Sequence, residues 1–173
     1  MIASPADFNS TPNDADPETV MTTKGIAFLN QNGIVHELVK YDHKEKGAEF
    51  AARAVGFALA QTLKTLVVAL DDRRHVLVLM PGDRQVSMKK VAVACGAKRA
   101  AMTDTATAER LTGYLVGGIS PFGVKKALPV VMDAAAAVYD QVMINAGRRG
   151  IMVKLAPSDI ARALEAVVTD VTA

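Results

Sequence analysis

The sequence has few of the residues that build metal centres or disulfide frameworks. Its 173 residues include one cysteine, Cys95, and no tryptophan. A single cysteine excludes an internal disulfide network and a zinc site made from several cysteines. The three histidines form no H-E-x-x-H motif, and no G-x-x-x-x-G-K-[ST] phosphate loop is present. We therefore expect neither a metal site nor a bound cofactor.

Long hydrophobic runs are also absent. No apolar segment approaches the roughly 20 residues that a transmembrane helix needs, and the first residues lack the basic and apolar regions of a secretion signal. Apolar residues nevertheless make up 50% of the chain, enough to form the core of one domain of this length. We expect a soluble cytoplasmic protein with no membrane partner.

The net charge of +2 hides an uneven distribution. Residues 1–20 contain four acidic residues and no Lys or Arg, together with three prolines. This composition predicts a disordered acidic tail, because it offers too little apolar surface to offset the entropy of the chain. Residues 21–173 then form a single domain, which carries 20 basic and 14 acidic residues.

Ten of the 20 basic residues of this domain stand in adjacent pairs. The pairs are Arg73-Arg74, Lys89-Lys90, Lys98-Arg99, Lys125-Lys126 and Arg148-Arg149. Adjacent cations repel each other, and contact with a phosphate backbone relieves that repulsion. The pairs indicate either a nucleic-acid partner or simply five solvated turns and helix faces.

Short apolar segments separated by turn residues predict a mixed α+β fold. Strands are predicted at residues 34–41, 64–70, 75–80, 99–102, 130–132, 141–145 and 151–155. Helices are predicted at residues 22–32, 47–55, 87–94, 104–111 and 158–166, with Ser87 and Ser158 as N-caps. Strands and helices do not alternate regularly, which argues against a doubly wound parallel sheet. We expect a strongly curved mixed sheet with helices packed around it.

The loop from Gly117 to Gly123 is a candidate ligand site. Its Ser120 resembles the nucleophile of a G-x-S-x-G elbow, but the following residue, Pro121, has no N–H to donate to an oxyanion. Gly117 and Gly118 have no side chains, so a ligand can approach their amides closely. The alternative is a strand-end turn in which glycine and proline serve only the backbone.

A second candidate is Lys64, at the start of the most apolar predicted strand. A lysine in this position either extends into water or provides a fixed cation beside a cleft. Thr65 adds a hydroxyl next to it, and Tyr41 precedes Asp42-His43 at the end of another predicted strand. Taken one at a time, none of these residues identifies a reaction.

In combination, these segments resemble the YbaK/EbsC family of freestanding aminoacyl-tRNA editing proteins, which are similar to the editing domain inserted in some prolyl-tRNA synthetases. The resemblance runs from about residue 22 to 166. The matching segments are Tyr41-Asp42-His43, residues 63–68, Gly96-Ala97-Lys98, residues 112–123 with Lys125-Lys126, and Gly147-Arg148-Arg149-Gly150. The run T-G-Y-L-V-G-G-I-S-P-F-G is the most specific of them.

The resemblance implies a barrel-like core and a set of site residues. Lys64 is the implied central residue, and Gly117 and Gly118 are the implied loop glycines. The implied substrate-binding residues are Tyr41, Phe50, Thr65, Ile119, Ser120, Pro121, Asn145 and Met152. Asn145 stands where many cysteine-specific members have serine, and Met152 where some have aspartate, so the reaction class is the firmer expectation and cysteine specificity the weaker one. We expect Lys125, Lys126, Arg148 and Arg149 to bind tRNA on the same face as Lys64.

The implied reaction is removal of a wrongly attached amino acid from tRNA, with Cys-tRNA(Pro) as the best-known substrate. The thiol of the substrate attacks its own ester carbonyl, so the protein needs no nucleophile. Prolyl-tRNA synthetase is an implied partner; DNA is not. Two alternatives stay open: a deacylase that uses water on Ala-tRNA or another small aminoacyl-tRNA, and a non-catalytic module that binds tRNA or a synthetase.

Overall fold

The computed structural model describes residues 22–173, so the predicted acidic tail lies outside the described residues. The helices are α1 (Lys24–Gln31), α2 (Ala48–Val55), α3 (Met88–Ala94), α4 (Thr105–Thr112) and α5 (Pro157–Leu164). The strands are β1 (Glu37–Lys40), β2 (Leu63–Leu70), β3 (His75–Pro81), β4 (Ala100–Met102), β5 (Val130–Asp133), β6 (Val142–Arg148), β7 (Ile151–Leu155) and β8 (Val167–Thr169). This confirms the α+β class.

Side-chain caps fix the start of three helices. The side chains of Thr23, Ser87 and Asp104 accept hydrogen bonds from backbone N–H groups in the first turns of α1, α3 and α4. The cap predicted at Ser158 is wrong, because α5 begins one residue earlier at Pro157, with Ala156 as its N-cap. Proline suits the first helical position, since its fixed φ matches the helix and its missing N–H would have had no partner there.

The strands form two sheets. The smaller sheet has the order β1-β7-β6 and is antiparallel, and the larger has the order β4-β2-β3-β5-β8. In the larger sheet β2 pairs antiparallel with β3 and β4, whereas β5 pairs parallel with β3 and β8, so the sheet is mixed as predicted. Within residues 22–173 the strands do not close into a single barrel, and the expected barrel-like core is not confirmed.

The main core lies between the two sheets. Along β2 and β3, apolar side chains alternate between the two faces, as the two-residue period of a strand requires. Leu63, Val67, Leu77 and Leu79 face the main core, where the fully buried Phe122 also packs. The other face of the larger sheet holds a second buried cluster that includes Val91 of α3. The larger sheet is therefore covered by buried side chains on both faces.

Asp133, the last residue of β5, holds residues 171 and 172 beside the larger sheet. This carboxylate is 1% exposed and accepts hydrogen bonds from the Val171 N–H at 2.9 Å and from the Thr172 hydroxyl at 3.0 Å. The last residues also pair with the segment before α3, since Ala173 N–H donates to Gln85 O and Ser87 N–H donates to Val171 O. Among the described residues, no helix is both long enough and apolar enough to cross a membrane.

Candidate active site

A pocket of about 280 Å³ opens beside the N-terminal half of β2. It is bordered by α2, by the connection from β4 to α4, by the loop after α4 and by β6 and β7. Seven of the residues expected to form the site line this pocket: Tyr41, Lys64, Thr65, Gly117, Ile119, Asn145 and Met152. These residues are scattered over more than 100 positions of the sequence, and the fold brings them to one cavity.

Lys64 is the one cation that lines the pocket among the described residues. Its Nζ donates a hydrogen bond to the carbonyl oxygen of Arg84 at 2.6 Å, which holds the half-buried side chain in place. Burial lowers the pKa of the Lys64 ammonium, and the negative charge of Asp83 acts in the opposite direction. One N–H of the ammonium is used by Arg84, so the other two are available to a ligand.

Tyr41 forms part of the pocket wall next to α2. Its backbone N–H donates to Gly150 O at 3.0 Å, and its ring centre lies 6.2 Å from that of Phe50. Phe50 does not line the pocket; it packs against Tyr41. The expected aromatic pair therefore exists, but only Tyr41 faces the cavity.

Gly117 and Gly118 have different environments. Gly117 lines the pocket with φ +95°, a backbone conformation that favours glycine, and a Cβ there would lie 3.0 Å from Cδ of Arg149. Gly118 is buried against the β6–β7 hairpin, where a Cβ would lie 3.0 Å from the backbone N of Arg149. Its own N–H already donates to Leu115 O at 2.9 Å. Of the two backbone amides, only that of Gly117 is without an acceptor within residues 22–173, because the Gly118 N–H is occupied.

Ser120 and Pro121 lie outside the pocket. Both are buried, and the Ser120 hydroxyl accepts a hydrogen bond from the Phe122 N–H at 3.2 Å. Tyr114 secures the same loop, since its hydroxyl donates to Phe122 O at 2.5 Å. Burial raises the pKa of Tyr114 to about 12, so this donor keeps its proton at neutral pH. These residues shape the loop and do not line the pocket.

Asn145 links two walls of the pocket. Its Oδ1 accepts a hydrogen bond from Gly147 N–H at 2.8 Å, and its Nδ2 donates to Gly117 O at 3.4 Å. Met152 stands opposite Asn145 in the β6–β7 pairing and is buried. A side-chain amide therefore ties the hairpin to the loop, and a thioether fills the adjacent wall.

The pocket contains a cation and hydroxyls but no acidic, thiol or imidazole group. Within residues 22–173, its lining includes no Ser, Cys, His, Asp or Glu. Such a site can orient an ester and stabilise negative charge that develops on it.

A family model decides the assignment. The model described as "Aminoacyl-tRNA editing domain" matches residues 43–163, which include Lys64, Gly117 and the β6–β7 hairpin. The chain belongs to the aminoacyl-tRNA editing domain family. It is an aminoacyl-tRNA deacylase, and its activity belongs to translation.

Two curated relatives of this editing domain carry substrate names. One, from Enterococcus faecalis, is named "Putative Cys-tRNA(Pro)/Cys-tRNA(Cys) deacylase EbsC"; it is 30% identical over 84% of this chain and 90% of its own length. Another, from Escherichia coli, is named "Multifunctional Ser/Thr-tRNA deacylase ProXp-y"; it is 30% identical over 79% of this chain and 84% of its own. A solved structure titled "Crystal structure of a putative trans-editing enzyme for prolyl tRNA synthetase" aligns with a TM-score of 0.80 and 22% identity. The alignment covers 88% of this chain and 99% of that one.

Some residues of the editing domain's pocket could not be recognised from the sequence. Thr103, Thr105 and Val116 line the cavity, although no motif contains the two threonines. Thr103 enters the pocket because its N–H bonds to Val67 O, which continues the pairing of β4 with β2. Only the register of these two strands could have identified it.

Basic side chains border the loop of the editing domain that carries Gly117. The Arg149 side chain packs against Gly117, while Lys125 lies beside Gly113 at the other end of the segment. Lys24, which the sequence analysis did not single out, also reaches Gly113. Lys126 and Arg148 are exposed neighbours of Lys125 and Arg149.

Proposed function

We propose that this deacylase removes cysteine from Cys-tRNA(Pro) with the thiol of the substrate as the nucleophile. The observation that supports this mechanism best is the composition of the pocket. Among the described residues the cavity offers a lysine, a tyrosine, an asparagine, three threonines and backbone amides, but none of the Ser, Cys, His, Asp and Glu side chains that most often act as nucleophile or general base. A substrate that brings its own nucleophile suits such a cavity.

The proposed step balances without any further reactant. The cysteine sulfur bonds to its own carbonyl carbon, the bond from that carbon to the terminal ribose oxygen breaks, and the thiol proton passes to the ribose oxygen. The product is a strained thiolactone that water opens to cysteine. The protein contributes orientation and stabilisation of the negative charge that develops on the carbonyl oxygen.

Lys64 and Gly117 are the residues proposed to provide this stabilisation. The Lys64 ammonium keeps two free N–H donors and would hold the ester or the terminal phosphate. The Gly117 N–H would donate to the carbonyl oxygen, since within residues 22–173 it donates to no protein acceptor. Tyr41, Thr65, Ile119, Asn145 and Met152 would enclose the amino acid.

We also propose that Lys125, Lys126, Arg148 and Arg149 bind the phosphates of tRNA near its acceptor end. This proposal is supported by two contacts at the loop that carries Gly117: Lys125 lies beside Gly113 at one end of the segment, and Arg149 packs against Gly117 at the other.

Reversing the charges of these four residues should weaken tRNA binding strongly and flatten its salt dependence, because each lost phosphate contact removes about one released counterion. Reversal of Arg73, Arg74, Lys89 and Lys98 is the control. Equal affinities for the two quadruple variants in a filter-binding titration would contradict the proposal.

A second candidate is hydrolysis by water of esters whose amino acid has no thiol. The Escherichia coli relative favours it, because its name assigns Ser/Thr-tRNA and its identity to this chain is also 30%. The two candidates differ in what the substrate must contribute.

Deacylation of Cys-, Ser- and Ala-tRNA(Pro) separates these candidates. We expect the Cys ester to be cleaved at least about tenfold faster than the Ser ester, because a thiol is the better nucleophile at neutral pH. Rates should be measured with and without prolyl-tRNA synthetase, the proposed partner for tRNA selection. Equal rates for Cys and Ser esters would move the mechanism to water attack. Bound tRNA with no cleavage of any ester would leave only a binding module.

A further inference from the structure

We infer that the hydroxyls of Thr65 and Thr103 form a subsite that recognises a hydrogen-bonding group on the β-carbon of the amino acid. The inference rests on the proposed deacylase function and adds a specificity determinant that the sequence analysis did not include, Thr103. Both Oγ1 atoms are buried, and within residues 22–173 neither makes a hydrogen bond. Both residues line the pocket.

Buried polar atoms without partners are rare in folded proteins, and in a pocket a polar substrate can supply the missing partner. Within the part of the chain that the structure describes, one other buried side-chain nitrogen or oxygen shares this state, Nε of Arg149. Arg149 packs on Gly117 at the edge of the same pocket. All three unpartnered atoms therefore belong to the pocket or its border, which is where a polar substrate would satisfy them.

Strand geometry brings the two threonines together. Val68 of β2 pairs with Met102 of β4, and the Thr103 N–H bonds to Val67 O, so Thr103 stands opposite Val67. Thr65 lies two residues before Val67, on the same face of the strand. The two threonines are thus diagonal neighbours on one face of the sheet, close enough for one small group to contact both.

The surroundings of this pair favour a neutral group. Leu63, Val67, Ala108 and Ile119 contribute apolar surface to the pocket, and no Asp or Glu lines it among the described residues. The α-ammonium of the substrate would be repelled by Lys64 and would have no carboxylate to pair with. A hydroxyl or thiol on the β-carbon can donate to one threonine and accept from the other.

The two threonines should therefore select against amino acids that leave their hydroxyls without a hydrogen-bond partner. Serine and cysteine fill the hydrogen bonds of the two hydroxyls, whereas alanine leaves them buried and unpaired, which is the costly case. Thr103→Val has nearly the same shape as threonine and removes one hydroxyl. It should lower kcat/KM for the Cys and Ser esters by about 10- to 100-fold and change that for the Ala ester less than about threefold.

The experiment compares wild type, T103V, T103S and T65V on Cys-, Ser- and Ala-tRNA(Pro). We expect T103S to restore the discrimination, because it returns the hydroxyl, and T65V to behave like T103V. Thr169→Val, on β8 and outside the pocket, is the matched control for the chemical change. A T103V enzyme that loses all three activities equally would overturn the inference and leave the deacylase function standing.

A binding measurement covers the case in which no ester is cleaved. Seryl and alanyl groups joined to 3′-amino-3′-deoxyadenosine through an amide are stable probes for calorimetry. Wild type should bind the seryl compound more tightly than the alanyl compound, and T103V should show a smaller preference, because only the Thr65 hydroxyl remains. Equal affinities in wild type would overturn the subsite, whereas a preference for the seryl compound without turnover would overturn only the proposed function.

Discussion

Replacing Lys64 with methionine should lower kcat/KM for deacylation by about 10²- to 10³-fold, the usual cost of removing one preorganised electrostatic contact. Methionine keeps most of the length of the side chain and its contacts with the pocket wall. The chain should still fold, because the Lys64 side chain is half-buried and, within residues 22–173, makes a single hydrogen bond, to Arg84 O. Single-turnover assays with saturating enzyme, together with a thermal melt, separate chemistry from folding.

Lys40→Met is the control for loss of a lysine, since Lys40 is exposed and lies outside the pocket. A folded K64M protein that deacylates at the wild-type rate would remove Lys64 from the mechanism.

If the ammonium acts in its charged form, activity should fall on the alkaline side at a pH below the usual pKa of lysine, because burial lowers the pKa of Lys64. Asp83→Asn should move this fall to still lower pH, since the carboxylate of Asp83 raises that pKa. Spontaneous ester hydrolysis, measured without enzyme, must be subtracted at each pH.

Replacing Gly117 with alanine should lower kcat/KM by about 10²-fold or more through a shifted oxyanion donor. At φ +95° an alanine is strained, and its Cβ would lie 3.0 Å from Cδ of Arg149. The loop must move to relieve both effects, and it carries the N–H that faces the reacting ester in the proposed complex. The decrease should appear in kcat more than in KM, because the interaction strengthens as charge develops on the carbonyl oxygen.

Gly33→Ala provides the matched control. Gly33 also has a positive φ, +62°, but a Cβ there would meet nothing within 4 Å, and it lies outside the pocket. It tests the cost of a strained alanine without disturbing the site. If G117A and G33A had the same kcat, the Gly117 N–H would have no role in stabilising the transition state.

The parts of the site that depend on local sequence could be predicted, and those that depend on strand register could not. Gly117 was recognisable because a specific run of residues surrounds it, and Lys64 because its shorter segment occurs together with that run. Gly118 belongs to the same run, yet its N–H is used in a turn to Leu115 O, a pairing that no motif reveals. Thr103 joined the pocket only through the pairing of β4 with β2.

The fold also has parts that local sequence predicts and parts that depend on contacts between distant segments. Ser87 caps a helix as expected, because a capping side chain acts on backbone groups two or three residues away. The strand Val167–Thr169 was not predicted. Two of its three residues are exposed, so it shows no pattern of burial, and it forms because β5 offers a free edge. The arrangement of the two sheets, with β2 of one packed against β6 of the other, likewise depends on residues far apart in the sequence.

The bond between Lys64 and Arg84 O has a consequence for biosynthesis. The segment that supplies this carbonyl is secured by Ala173 N–H on Gln85 O and by Val171 O on Ser87 N–H. Residues 171–173 are synthesised long after β2 and Lys64. A nascent chain that has not yet reached them lacks both of these hydrogen bonds. In such a chain the segment that positions the Lys64 ammonium is without this support.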